Sequence, residues 1–172
     1  MRAYVGIPLS GTPEIISVLE RLHSIRGLRT EKSDKLHSTL LFFADIGTPR
    51  ARQVCQALES LKEAKFTIRY SAITGFPSEA GARVIVVLID SPDLTRIYND
   101  LSGKIGIKEE RQFIPHLTLA RTRGERVNIA RILENTSLTS GGTEEVIQIS
   151  LYESTLKPEG AEHVPVCTRQ FM

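Results

Sequence analysis

Two short stretches carry the residues best suited to chemistry: Lys35-Leu36-His37-Ser38-Thr39-Leu40 and Pro115-His116-Leu117-Thr118-Leu119. Each sets a histidine and, two positions later, a threonine among apolar residues of strand character. Successive side chains of a strand alternate faces, so His37 shares a face with Thr39, and His116 with Thr118. Imidazole and hydroxyl then stand about 6.6 Å apart along each strand. Imidazole exchanges protons near neutral pH, so two of them can serve one displacement as base and acid. One takes a proton from water, and the other gives one to a departing alkoxide. Two hydroxyls can meanwhile donate to the non-bridging oxygens of a phosphate. Such a step calls for no metal.

One His-x-Thr-Leu is an ordinary core histidine. Two of them, matched in the following Thr-Leu and about half a chain apart, point to a shared site to which each half supplies one motif. The other histidines, His23 on an amphipathic helix and His163 after a turn, have no such partner and are expected at the surface. The chain has no His-Glu-x-x-His, Walker or Gly-x-Gly-x-x-Gly pattern, so neither a metal nor a cofactor is expected.

Weaker candidates flank the motifs. Arg121 closes the second and Arg111 precedes it, and a guanidinium fork suits phosphate oxygens. Strict alternation turns Arg121 away from His116, so it reaches the site only if the strand ends or twists there. Alternation likewise puts Leu41 and Phe43 on the His37 face and Phe42 behind. In EVIQISLYESTL (145–156), Gln148, Ser150, Tyr152 and Ser154 share a polar face that borders substrate or faces solvent. Phe43, Phe76, Phe113 and Tyr152 are the rings on which a single-stranded base could stack.

The elements that must position these groups follow a rhythm. A strand at 4–9 leads to Thr12-Pro13-Glu14, which offers an N-cap, a first-turn proline and an acid. Thr48-Pro49 and Ser91-Pro92-Asp93 repeat that start before two further amphipathic runs. FTIRYSAI (66–73) and ARVIVVLID (82–90) read as strands parted by a turn from Gly75 to Gly81. A weaker helix is expected over 126–135. Strands at 145–156 and 163–171 should form a hairpin about Pro158-Glu159-Gly160. The order strand, helix, His-x-Thr strand, helix, strand thus occurs twice, with one strand left over.

Composition bounds the rest. With 172 residues, 41% of them hydrophobic, the chain can bury a proper core. Its 22 Lys+Arg against 20 Asp+Glu leave a net charge of only +2, too little for a broad duplex-binding surface, so any nucleic-acid contact is local, such as a strand end. The opening MRAYVGIPLSGTPEII is broken by Gly6, Pro8, Gly11 and Pro13, which suits neither a signal peptide nor a membrane span, and a cytoplasmic protein is expected. Cys55 and Cys167 lack Cys-x-x-Cys spacing and are expected as buried small hydrophobes.

Taken together, RAYVGIPL, Lys35-Leu36-His37-Ser38-Thr39-Leu40, Gly75-Phe76-Pro77, FIPHLTLAR (113–121) and Leu151-Tyr152-Glu153-Ser154 resemble the 2H phosphoesterase superfamily. Within it they are similar to the RNA 2′,3′-cyclic phosphodiesterases, also called 2′-5′ RNA ligases. Many relatives have an apolar residue at the place of Ser38 and a tryptophan near RVIVV, which bears on substrate fit. The resemblance implies an α+β fold over residues 1–172, a single domain of two pseudo-symmetric lobes. Two antiparallel sheets would face a central groove, with helices on the outer faces and the histidines on adjacent central strands. It implies metal-independent hydrolysis of RNA 2′,3′-cyclic phosphate ends to 2′-phosphates, with reversible 2′-5′ joining. His37 would be proton donor and His116 proton acceptor, labels that symmetry alone leaves open. Thr39 and Thr118, with Arg121 and Tyr152, would bind substrate. Partners would be RNA ends or small cyclic nucleotides, an ADP-ribose-type cyclic phosphate among them, met by a monomer. The alternative is a non-catalytic RNA- or nucleotide-binding module of the same fold.

Overall fold

The computed structural model describes residues 1–133 and 141–172. In chain order the elements are β1 (Ala3–Pro8), α1 (Pro13–His23), β2 (Leu28–Thr30), β3 (His37–Phe43), α2 (Thr48–Glu59), β4 (Phe66–Pro77) and β5 (Ala82–Asp90). There follow α3 (Pro92–Ile105), β6 (His116–Thr122), α4 (Ile129–Ile132), β7 (Thr143–Val146), β8 (Gln148–Lys157) and β9 (Gly160–Gln170). All strand pairings are antiparallel, in one sheet of order β3-β1-β8-β9 and another of order β2-β6-β5-β4-β7. This is the expected α+β architecture of two sheets about a groove.

The helices begin where the sequence signals them. The Thr12 hydroxyl accepts from Ile15 N at 3.3 Å and Ser91 Oγ from Leu94 N at 3.2 Å, each meeting one orphan donor of its first turn. Thr48 differs: it lies inside α2, whose N-cap is Gly47 with no side-chain bond. Ile15, Val18, Leu19 and Leu22 bury one face of α1, and Leu94, Ile97, Leu101 and Ile105 one face of α3. At about 25 cal/mol per Å² such apolar stripes supply the drive that fastens helices to sheets. The weak helix shortens to α4, and its expected end at 134–135 lies outside the described residues.

Chain halves and sheets do not coincide. β1, β3 and β5, β6 occupy matching places, but β4 crosses to the second sheet while β8 and β9 return to the first. A short β2, unanticipated, adds beside β6. The histidine strands are therefore not the adjacent central strands that were expected, and that expectation is corrected. β3 is an edge of its sheet and β6 lies between β2 and β5, so the two face each other across the groove without pairing.

Glu144 on β7 joins the halves. Its carboxylate accepts from Ser10 N at 2.7 Å, Gly11 N at 2.9 Å and the Tyr70 hydroxyl at 2.8 Å. The cysteines depart from expectation too: Cys55 of α2 and Cys167 of β9 are joined in a disulfide across a separation of 112 residues. Packing of α2 on β9 brings them together, a proximity that no spacing rule contains.

Candidate active site

β3 and β6 carry the site, and they are built alike. Each runs from a half-buried histidine through a buried residue to a half-buried threonine, then two buried residues and an exposed one. Two consecutive buried positions break the alternation, and the registers explain them. Val5 pairs with Leu41 but Gly6 with Thr39, leaving Leu40 as an extra residue; Ile85 pairs with Ala120 but Val86 with Thr118, leaving Leu119 extra. A β-bulge three residues after each histidine thus flips the parity of the rest of the strand. Phe42 and Arg121, each five residues past its histidine, turn to the groove. Phe42 is 49% exposed there, so the assignment of Leu41 and Phe43 to that face is corrected. Gly6 allows the close approach: a Cβ on it would stand 2.8 Å from Ser38 O and 2.9 Å from the Tyr4 ring.

The groove encloses about 770 Å³, and His37, Thr39, His116 and Thr118 all line it. Each imidazole is oriented by its own backbone. His37 Nδ1 lies 3.0 Å from Lys35 O, and His116 Nδ1 lies 2.7 Å from Ile114 O, the carbonyl two residues upstream in both. A carbonyl only accepts, so Nδ1 carries the proton and donates, which leaves Nε2 as the atom free for proton transfer.

The surroundings of the two rings differ. His116 is held below the usual histidine range, chiefly by burial and further by the positive charges of Arg121 and His37, against the opposing bond to Ile114 O. Phe76 meets it edge-on, with centroids 5.2 Å apart. That contact depends on β4 running on through Gly75-Phe76-Pro77, where a turn was expected. His37 stacks on Tyr4 at 4.7 Å, and Tyr4 on Tyr152 at 5.1 Å. Burial first, then the charges of Tyr152 and Glu31, pushes the Tyr4 phenol well above the tyrosine range, so it stays protonated.

His163, expected as a surface residue, packs edge-on to both His37 and Tyr4, with centroids at 5.3 and 5.1 Å. Its Nδ1 is buried with no hydrogen-bond partner among the described residues. Burial and then the charges of His37 and Lys35 push its pKa down to about 4, so it is a neutral ring at pH 7. The hairpin of β8 and β9 sets His163 opposite Ser154, and only that register reveals its place.

Among the remaining sequence candidates, Arg121 and Arg111 line the groove. Tyr152 is one ring removed from it, behind Tyr4, so its part is to support the His37 stack. Phe76 and Phe113 are groove rings; Phe43 packs against the core instead. The sequence missed Phe42 and Tyr98, the latter stacked on Phe113 at 4.2 Å. On β8, Ser150 is fully buried and shares a 2.7 Å bond with the Thr168 hydroxyl, so that polar face neither borders substrate nor meets solvent there. Among the described residues no three His, Cys, Asp or Glu side chains gather as a metal would require.

The family model described as LigT-like phosphoesterase matches residues 5–86 and 88–161. An RNA 2′,3′-cyclic phosphodiesterase of Archaeoglobus fulgidus is 26% identical over 166 residues, covering 93% of this chain and 94% of the relative. One of Methanothermobacter thermautotrophicus is 30% identical over 137 residues, covering 74% and 73%. Among solved structures, a protein of Thermus thermophilus superimposes with a TM-score of 0.81 at 21% identity, over 99% of this chain and 98% of that one. E. coli LigT complexed with 3′-AMP does so with 0.74 at 19% identity, over 99% and 97%. These structural likenesses bear on the fold.

Proposed function

The chain belongs to the LigT-like phosphoesterase family, and from that premise we propose that it hydrolyses RNA 2′,3′-cyclic phosphate ends to 2′-phosphates without a metal. The observation that carries the reading is the matched mounting of two imidazoles, each with Nδ1 tied to a backbone carbonyl, on one groove shared with two threonine hydroxyls. A module that only bound nucleotides would have no need of two oriented imidazoles. Its curated relatives of 25–30% identity are named RNA 2′,3′-cyclic phosphodiesterases, which supports the same substrate.

In the proposed step His116 Nε2 accepts a proton from water as the water oxygen bonds to phosphorus. The bond from phosphorus to the 3′-oxygen breaks, and His37 Nε2 delivers its proton to that oxygen, leaving the 2′-phosphate. The imidazole that burial and Arg121 keep neutral is suited to be the base. Thr39 and Thr118 donate to the non-bridging oxygens, and Arg121 offsets the charge that grows on them. With a 5′-hydroxyl in place of water, the same geometry joins two ends through a 2′-5′ bond.

We also assign the enzyme to the cytoplasm, working as a monomer. No helix among the described residues is long and apolar enough to cross a membrane. Glutathione reduces ordinary disulfides in that compartment, so the enzyme is expected to work with Cys55 and Cys167 reduced as well as joined.

The experiment is turnover of 2′,3′-cyclic AMP and of a cyclic-phosphate RNA end in excess EDTA. His37→Ala and His116→Ala should each lower turnover by about 10²–10⁴-fold. The double variant should fall short of the product of the two losses, because the pair acts as a unit. Loss of activity on chelation, or near-full activity in either folded single variant, overturns the proposal.

A further inference from the structure

Arg121 lines three hollows. The first is the reactive groove, and the second is an open trough of about 660 Å³ at the end of β5 and β6, lined also by Arg83, Arg123 and Arg126, with Glu125 as its one carboxylate. On a chain whose net charge is +2, this is a steep local concentration of positive charge. All four arginines are exposed, and among the described residues none is in an ion pair or side-chain hydrogen bond. Arg69 and Arg96, by contrast, are paired with Asp90 and with Glu63 and Asp93.

The trough is fastened in place. Arg121 lies on β6 opposite Val84, next to Arg83. The following loop is pinned by Ala82 N to Val127 O at 2.8 Å, Val127 N to Ala82 O at 2.9 Å and Arg123 N to Gly27 O at 2.9 Å. Four like charges lining one trough repel one another, and its single carboxylate, Glu125, offsets only one of them. A polyanion would offset the rest.

We propose that this trough is a second binding site, one that takes the backbone phosphates of single-stranded RNA leading up to the reacting end. The inference rests on the hydrolase reading above and extends it. A 2′,3′-cyclic phosphate is a terminus, so the strand continues from it only in the 5′ direction. The phosphates that precede the end must leave the groove by a side that attracts anions, and the arginine trough opens there through Arg121. The third hollow, lined by Arg29, Lys32 and Lys35, also meets Arg121 but is less suited. It encloses about 230 Å³, contains Glu31 and Glu159, and has its Lys35 ammonium engaged by Ala161 O at 3.1 Å. Contacts of this kind carry no sequence preference and depend strongly on salt.

The test is fluorescence anisotropy on a single-stranded RNA of about ten nucleotides ending in a 2′-phosphate, titrated over a range of salt. The wild type is compared with Arg83→Ser/Arg126→Ser and, as a control for lost charge, with Arg50→Ser/Arg52→Ser on α2. Each phosphate contact on a single strand contributes about 0.7 to the slope of log K against log salt, so the trough variant should lose about 1.4 in slope. Its affinity near 0.1 M salt should fall on the order of tenfold, with the control within about twofold of wild type. The kcat/KM advantage of the oligonucleotide over 2′,3′-cyclic AMP should shrink in step. An unchanged slope in the trough variant, or an equal loss in the control, overturns the trough. Turnover of neither substrate by wild type would instead overturn the hydrolase reading, while the binding slope would still decide the trough.

Discussion

Arg121 offers the sharpest check, because only the bulge at Leu119 turns it toward His116. Arg121→Gln should have two separable effects on kcat/KM for 2′,3′-cyclic AMP. The first is loss of a charge-assisted contact to the phosphate in the transition state. Hydrogen bonds to charged groups contribute about 1.5–3 kcal/mol, and the exposure of Arg121 argues for a discounted 1–2 kcal/mol, which is about 5–30-fold in rate. The second concerns pH. Arg121 is one of the charges that hold His116 below the usual histidine range, so removing it should raise that pKa. The base must be neutral to act, so activity is lost as pH falls through the His116 pKa, and the acid limb of the profile should move to higher pH. Arg121→Lys keeps the charge without the fork. It should leave the acid limb near its wild-type place and give an intermediate rate. Profiles of kcat/KM against pH for the three proteins make the comparison. A loss under twofold, or an acid limb that stays put or moves down in Arg121→Gln, would refute both the facing of Arg121 and its part in the site.

Three further outcomes are expected from the fold. Replacing Cys55 and Cys167 with serine, or reducing them, should cost up to about 4–5 kcal/mol from the loop-closure entropy of a 112-residue separation, seen as a fall in Tm of about 10–15 °C with little change in activity at 25 °C; a fall under about 3 °C would contradict a native disulfide. Ser38 is fully buried and its hydroxyl has no hydrogen-bond partner among the described residues, so Ser38→Ala should be neutral or stabilising by about 1 kcal/mol in urea unfolding. A clear destabilisation would mean that this hydroxyl is satisfied after all. His163 has a folded pKa near 4 against an ordinary 6.5, so the unfolded chain binds the extra proton between those values and the stability due to the neutral ring is lost as pH falls through that window. Discounted for partial exposure, this amounts to about 1 kcal/mol, or about 2–4 °C in Tm, between pH 6.5 and 5. His163→Phe should flatten the dependence, and an unchanged slope would reject the assignment.

Features that depend on local chemistry and period were legible in the residues alone. Thr12-Pro13 and Ser91-Pro92 opened helices because their hydroxyls meet first-turn amides within three residues. His37, Thr39, His116 and Thr118 were legible because a period of two is fixed by the pleat over so short a span, and the doubling of the motif could be read without coordinates. Long-range packing settled everything that depends on an extra residue or a distant partner. One inserted residue per strand reversed the alternation, so Phe42 and Arg121 face the groove although their positions alone turned them away. The crossing of β4 and the return of β8 and β9 decided that the histidines face each other across a gap, and brought His163, Tyr4 and Tyr152 to the back of His37. Cys55 met Cys167, and Arg83 met Arg123 and Arg126, for the same reason: strand register and helix packing bring together residues that no periodicity links.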